Sequence, residues 1–378
     1  MKRKIFLYGY YGFNNFGDDL ILRSLVENIM SYGKTEFLVR SLNKGPYLGE
    51  NVVYTKVDKI IANSKVNRAY RLVKYLKKIL LYIKKTDFVI VGGGTLIHDN
   101  KSRWSLLIMF LLVISSKILF KRIFFVGVGI SDLKYKSSYI MLNLITKLSS
   151  GFYIRDIEAE KILRKANVVE KRFQLTADLA YSLKHLKKKS DKTGDNKRIN
   201  IGITMVDNAF YNKKIQGAII EYVALLKNIN YEFEVHFIPF HEMSADCDNT
   251  INDSKVMIKI KQELSEENII IEEQIGEKFD KVYESLDLVI GMRFHSLVLA
   301  AIYEIPFIGI NHDNKIVGIC KSYDMPSVDV KDVNAEILLE TTKSTLKKYF
   351  PTETNLEMRK RSLKNFDFLE EFYGRNQI

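Results

Sequence analysis

The chain has 378 residues, 47% hydrophobic and 27% charged, a balance that excludes a disordered protein and holds too much apolar material for one ordinary core. Its 58 basic residues against 45 acidic ones leave a formal charge of +13, which points to an acidic partner, either an anionic membrane face or a phosphorylated substrate. No zinc-finger or RNP-type signature accompanies that charge, so no nucleic acid partner is expected, and Cys247 and Cys320 provide neither a disulfide framework nor a metal-ligand spacing.

In chain order, the basic start Met1-Lys2-Arg3-Lys4 runs into an apolar stretch broken by Tyr8-Gly9-Tyr10, with no cleavage signature. It reads as a first strand over residues 5–8 rather than an export signal. A helix is expected over 19–30, strands over 37–42 and 52–55, and a helix over 67–83. A strand over 88–91, a helix over 104–120 and a strand over 123–128 follow. The longest apolar run, 106–114, stops at Ser115-Ser116-Lys117 and is too short for a bilayer span, so it reads as a buried helix. This alternation implies right-handed βαβ units around a mainly parallel sheet.

The polar, lysine-rich residues 184–198 read as a linker. Beyond it, strands are expected over 199–204, 233–238, 269–271, 288–290 and 306–310, with helices over 218–226 and 255–264 and after Ser296. Residues 335–349 and 355–372 are helical by pattern. The expected fold is therefore α/β, two Rossmann-like domains facing across a cleft, over residues 1–190 and 198–333, with C-terminal helices in 334–378 that cross back to the first domain.

One predicted helix is unusual. From Lys65 to Lys85 the sequence KVNRAYRLVKYLKKILLYIKK has no acidic residue. Val66, Ala69, Val73, Leu76, Leu80 and Ile83 recur at helical spacing as one apolar face, with Arg71, Lys74, Lys78 and Lys85 opposite. Such a helix either packs on a core with a solvated basic back or rests on anionic headgroups. A cytoplasmic protein, peripheral at the inner face of the cell membrane, is the location that fits.

Four constellations carry candidate chemistry. The first follows the first strand, GYYGFNNFGDD, residues 9–19, whose glycines admit backbone donors and whose Asn14, Asn15 and Asp18 suit sugar hydroxyls; the glycine spacing matches neither a dinucleotide fingerprint nor a P-loop. Asp18 also fits a plain helix cap. The second is Gly92-Gly93-Gly94-Thr95-Leu96-Ile97-His98-Asp99, where His98 and Asp99 form an acid/base pair or hold acceptor hydroxyls, or where a left-handed turn alone explains the glycines. The third is Arg155-Asp156 with the later Asp178, read as an internal ion pair. His185, His236 and His241 show no metal spacing and read as structural.

The fourth is DLVIGMRFHSLVLAAIYEIPFIGINHDNK, residues 287–315. A short strand ends at Gly291, and Arg293 and His295 follow at its carboxyl end, where open α/β sheets bind ligands. Lys315 lies beyond the next strand. If the two strands are neighbours, Arg293, His295, Lys315 and a helix N-terminus converge on one anion.

At these residues the sequence resembles the polysaccharide pyruvyl transferase family, through Asn15-Phe16-Gly17-Asp18, Gly92-Gly93-Gly94 with Asp99, Arg155-Asp156, Thr176-Ala177-Asp178, Gly291-Met292-Arg293-Phe294-His295, and Pro306 with Asp313 and Lys315. Two departures stand out. Gly127-Val128-Gly129-Ile130-Ser131 replaces the family's usual Gly-Gln-Ser-Ile-Gly-Pro run, and His312 stands where an aromatic often precedes the Asp-x-Lys element.

The resemblance implies a glycosyltransferase GT-B-like fold and transfer of the pyruvyl group of phosphoenolpyruvate, as a ketal, onto two hydroxyls of a sugar in a cell-surface polysaccharide or its lipid-linked precursor. Phosphoenolpyruvate enters as co-substrate; no cofactor and no metal are called for. The implied donor residues are Arg293, His295, Lys315 and Gly291, with Arg293 and His295 catalytic. Asn15, Asp18, His98 and Asp99 are the implied acceptor side. Two competing readings remain open on the same architecture: a nucleotide-sugar-dependent glycosyltransferase and a non-catalytic scaffold of a polysaccharide assembly complex.

Overall fold

The computed structural model describes residues 2–41, 45–56, 68–99, 104–184, 198–207, 212–227, 232–241, 252–264, 268–273 and 275–374. The chain divides into two compact units, one made of Met1–Phe13, Asp18–Lys184 and Met358–Ile378, the other of Asn14–Gly17 and His185–Glu357. Most of the expected linker, together with Lys65, Val66, His185 and Cys247 and the side chains of Ala69 and Arg71, lies outside the described residues.

The strands of the first unit are β1 (Arg3–Tyr11), β2 (Thr35–Ser41), β3 (Val52–Lys56), β4 (Phe88–Gly92), β5 (Thr95–Ile97), β6 (Arg122–Ile130), β7 (Gly151–Ile154) and β8 (Gln174–Leu175), ordered β3-β2-β1-β4-β6-β7-β8 with β5 beside β6. All pairings are parallel. The helices are α1 (Phe16–Tyr32), α2 (Arg68–Lys84), α3 (Trp104–Ile118), α4 (Lys136–Leu148) and α5 (Ile157–Lys165).

Both faces of this sheet are covered, so its strands read as unbroken apolar runs. Phe6, Tyr8, Val89 and Val91 face α2 to α5, while Ile5, Leu7, Phe88 and Ile90 face α1. The chain end closes the second face: Phe368 stacks on Phe124 at 4.0 Å and Phe372 lies 4.2 Å from Phe88. The expected return of the C-terminal residues to the first unit is thus observed.

The second unit contains β9 (Arg198–Thr204), β10 (Glu232–Phe237), β11 (Ile269–Ile271), β12 (Leu288–Gly291), β13 (Phe307–Asn311) and β14 (Ser327–Asp329), in the all-parallel order β11-β10-β9-β12-β13-β14. Its helices are α6 (Asn212–Leu226), α7 (Asp253–Leu264), α8 (Ile275–Ser285), α9 (Phe294–Ile302), α10 (Asn314–Ser322) and α11 (Ala335–Thr345), after which come α12 (Thr352–Leu363) and α13 (Glu370–Tyr373). In each unit the strand order reverses once, at β1–β4 and at β9–β12, and those switch points open crevices at the strands' carboxyl ends.

Two sequence expectations change. On α2 the buried stripe is Tyr75, Ile79 and Ile83, flanked by Leu72 and Tyr82, whereas Val73 is 51% exposed and Leu76 and Leu80 are half-buried. The helix has more apolar residues than one face can hold, and Tyr75, whose hydroxyl meets that of Tyr8 at 2.6 Å, decides the rotation. Helix α4 was not anticipated. Its N-cap residue, Tyr135, makes no side-chain cap; the acceptor for the backbone amides of Lys134 and Tyr135 is Asp99, at 2.9–3.3 Å, far away in sequence.

Candidate functional site

The site in the second unit is built at the β9–β12 switch point. β12 and β13 are neighbours, with Gly291 opposite Gly309, so the loops carrying Arg293 and Lys315 sit side by side. A Cβ on Gly291 would lie 2.5 Å from Cδ2 of Leu297 and 2.7 Å from Oγ of Ser296, so only glycine lets α9 start this close to its strand. Arg293 is the N-cap residue of α9 and Asp313 that of α10, whose side chain accepts from the Lys315 amide at 2.8 Å.

Arg293 is held by a residue the sequence did not mark. Asp253, at the start of α7 and fully buried, accepts from Nε and Nη2 of Arg293 at 2.9 and 2.5 Å. The same carboxylate accepts from the backbone amides of Asp207, Phe240 and His241 at 3.0–3.3 Å. A buried charge needs such a full set of partners. The guanidinium is thereby fixed in orientation with its side chain still 20% exposed.

Two imidazoles flank it. Burial, with Arg293 adding to it and Asp253 opposing, pushes the pKa of His241 down. Burial also lowers that of His312, against Asp313 and a hydrogen bond to the Ile310 backbone, with Arg293 and Lys315 both lowering it further. Arg293 and Lys315 thus both disfavour the charged form of the His312 ring. The ammonium of Lys315 stands 3.7 Å from Asp313 Oδ2.

The N-terminal motif joins this group. Asn15 bridges to His241 as an isolated β pair, the Phe16 amide donates to the Phe240 carbonyl at 2.9 Å, and the Phe16 ring packs on Phe240 and Phe279. A Cβ on Gly17 would fall 2.1 Å from Nδ1 of His295. Asn15, implied as an acceptor residue, is thus placed in the second unit with His241, and Gly17 gives His295 its room. His241, read as structural from its spacing, lies beside Arg293. His236 is clamped by Glu234 at 3.1 Å and Glu272 at 2.8 Å and is structural.

The first unit has its own group at the β1–β4 switch point. Gly93 and Gly94 adopt φ of 61° and 68°, and Cβ atoms on Gly92 and Gly93 would strike Leu25 and Ile21 of α1. The glycines therefore serve both the left-handed turn and close helix packing. Asp18 lies over Gly94, where a Cβ would be 3.1 Å from its Oδ1. Beside it, burial pushes the Asp19 carboxyl up to about 7, against a hydrogen bond from the Gly12 amide and with Asp18 adding to the rise. Such a carboxyl exchanges its proton near neutrality, where a general acid or base works; its burial has no local signature in the sequence. His98 is half-buried here, and the Asp99 carboxylate accepts from the backbone amides of Lys134 and Tyr135 just ahead of α4.

Two further groups complete the picture. Arg155 is buried in an ion pair with Asp178 at 2.8 Å, with Asp156 at 3.2 Å, as expected from the sequence. Gly129, in the run that departs from the family, leaves no room for a Cβ, which would sit 2.9 Å from Arg155 Nε. Arg40, at the carboxyl end of β2, is 8% exposed and donates to the Gly9 carbonyl at 2.9 Å beneath the rings of Tyr8, Tyr10 and Phe13. Among the described residues no group of three or more His, Cys, Asp or Glu is arranged to hold a metal ion.

Solved structures of similar fold span the whole chain. UDP-GlcNAc 2-epimerase from Methanocaldococcus jannaschii aligns with a TM-score of 0.63 at 14% identity, covering 98% of this chain and 100% of that one. S. aureus MnaA, solved with UDP, aligns at 0.62 and 13%, covering 99% and 98%. The lipopolysaccharide outer core galactosyltransferase WaaB aligns at 0.55 and 11%, covering 98% and 99%. These likenesses establish a GT-B-like fold. A comparison with curated proteins found no match. The family model described as polysaccharide pyruvyl transferase matches residues 15–314, most of the chain, and the chain belongs to that family.

Proposed function

We propose that the protein transfers the pyruvyl group of phosphoenolpyruvate onto two hydroxyls of a saccharide as a cyclic ketal, releasing phosphate. The observation that supports this is the pairing of β12 with β13, which sets the loops of Arg293 and Lys315 and the N-termini of α9 and α10 beside each other at the strands' carboxyl ends. Phosphoenolpyruvate has a carboxylate and a phosphate on one carbon, and two fixed cations suit such a dianionic end.

The reaction needs a proton delivered to the methylene carbon, which leaves positive character at the carbon bearing the carboxylate. One sugar hydroxyl attacks that carbon, its bond to the phosphate oxygen breaks, and the second hydroxyl closes the ring as both hydroxyl protons depart. Arg293 serves as clamp for the donor anion, oriented by Asp253, and its charge supports the leaving phosphate. His295, given its room by Gly17, is either a ligand of the phosphate or the acid that protonates the methylene carbon. Burial and the charge of Arg293 both disfavour the protonated forms of His241 and His312. Asp18, Asp19 and His98, at the β1–β4 switch point of the first unit, serve the acceptor; a lipid-linked saccharide is the acceptor form that fits a cytoplasmic enzyme.

Ligand protection tests this reading. Millimolar phosphoenolpyruvate should raise the melting temperature of the wild type but not of Arg293→Ala. Protection by UDP-N-acetylglucosamine with none from phosphoenolpyruvate would instead make the protein a nucleotide-sugar enzyme.

A further inference from the structure

We propose that the outer face of α2, α3 and α4 is a docking surface for an anionic bilayer. The three helices pack successively on one face of the first unit's sheet, α2 against α3 and α3 against α4. None of them contains an Asp or a Glu. The next helix, α5, carries Glu158 and Glu160 and bounds the surface.

On α2, the side away from Tyr75, Ile79 and Ile83 presents Tyr70, Val73 and Leu81 interleaved with Lys77 and Lys84, and Val73 and Leu81 are 51% and 50% exposed. At the end of α3, Ile118 and Phe120 stand between Lys117 and Lys121. Phe120 is 96% exposed in a left-handed turn (φ 53°), which holds its ring off the protein. On α4, Ile140 and Leu144 share the exposed side with Lys136 and Lys147. In a right-handed βαβ layer the last turns of these helices reach the same edge of the sheet, so Leu81, Lys84, Ile118, Phe120, Leu144 and Lys147 form one end of the surface.

The mixture selects the partner. Lysines alone would make a solvated face or a nucleic-acid surface, and phosphate backbones offer nothing to Leu81 or Ile140. Apolar residues alone would suit a protein partner. Ammonium groups and aliphatic or aromatic side chains interleaved on three helices without acids match the headgroup and acyl boundary of an anionic bilayer, which the lysines meet as charges and the side chains enter. This surface differs from the one the sequence periodicity predicts on α2, since Val73 now faces outward. It stands independently of the reaction proposed above.

The test is co-sedimentation of the full-length protein with vesicles of phosphatidylglycerol and phosphatidylcholine in equal parts, and with phosphatidylcholine alone. Wild type should bind the anionic vesicles only. Lys77→Glu with Lys84→Glu should weaken binding at least tenfold, taking about fivefold for each charge at the surface. Leu81→Ser with Phe120→Ser should also weaken it several-fold, with the circular dichroism spectrum and melting temperature of the wild type retained in both variants. No wild-type binding to anionic vesicles would overturn the proposal, as would unchanged binding in the apolar variant. A dimer in sedimentation velocity that Leu81→Ser with Phe120→Ser dissociates, without vesicle binding, would make the face a protein interface instead.

Discussion

Replacing Gly17 by Ala tests the assignment of His295 with a single methyl group. The added Cβ would lie 2.1 Å from Nδ1, 2.8 Å from Cγ and 3.1 Å from Cβ of His295, where ordinary contact begins at 3.4 Å. The imidazole must therefore retreat by more than about 1 Å. Gly17 is in α1 and is not among the residues with positive φ, so the backbone accepts Ala. Two stability effects oppose each other: Ala in a helix gains up to about 1 kcal/mol over Gly, and overpacking costs about 1–3 kcal/mol. Net destabilisation of no more than about 3 kcal/mol is expected, measurable by urea unfolding. Activity should suffer far more, because a displacement of about 1 Å at a reacting group costs on the order of 100-fold. The assay is phosphate released from phosphoenolpyruvate in the presence of acceptor glycan. A Gly17→Ala protein with wild-type kcat/KM would refute the placement of His295 in the reaction.

Other perturbations separate support from chemistry. Asp253→Ala strips Arg293 and three backbone amides of their acceptor and should cost about 3–5 kcal/mol in urea unfolding, with a raised KM for phosphoenolpyruvate. Asp178→Ala, which leaves Arg155 buried without its main partner, should destabilise by a similar 3–5 kcal/mol. Asp19 behaves in the opposite sense. Its folded pKa of about 7 lies above the ordinary 3.8, so stability from its protonated form is fully present below pH 3.8 and is lost as pH rises through 7. Asp19→Asn, which still accepts from the Gly12 amide, should raise stability at pH 8 by up to about 4 kcal/mol and by little at pH 4, as read from urea melts across that range.

Apolar strand runs and glycines at strand ends were enough to foretell the doubly wound sheets, because burial on both faces leaves an unbroken signature in sequence. Helix α4 was hidden because its capping carboxylate, Asp99, belongs to a distant loop. The rotation of α2 was hidden because two apolar stripes fit the same periodicity and only packing of Tyr75 on Tyr8 chooses between them. At the site, Arg293, His295 and Lys315 stand out in the sequence by their places after two short strands, and β12 and β13 are indeed neighbours. Asp253 and His241 were not, since an acid beside a helix start and a histidine after a strand look ordinary until the fold brings both to Arg293. The role of Gly17 likewise appears only when Asn14–Gly17 is found within the second unit.

The central claim is ketal formation dependent on Arg293. Deleting the gene and analysing the cell's surface polysaccharide by proton NMR should remove the methyl resonance of ketal-linked pyruvate. Complementation with the wild type should restore it, and complementation with Arg293→Ala at equal protein level should not. A ketal signal that persists in the deletion strain, or that Arg293→Ala restores in full, would contradict the account.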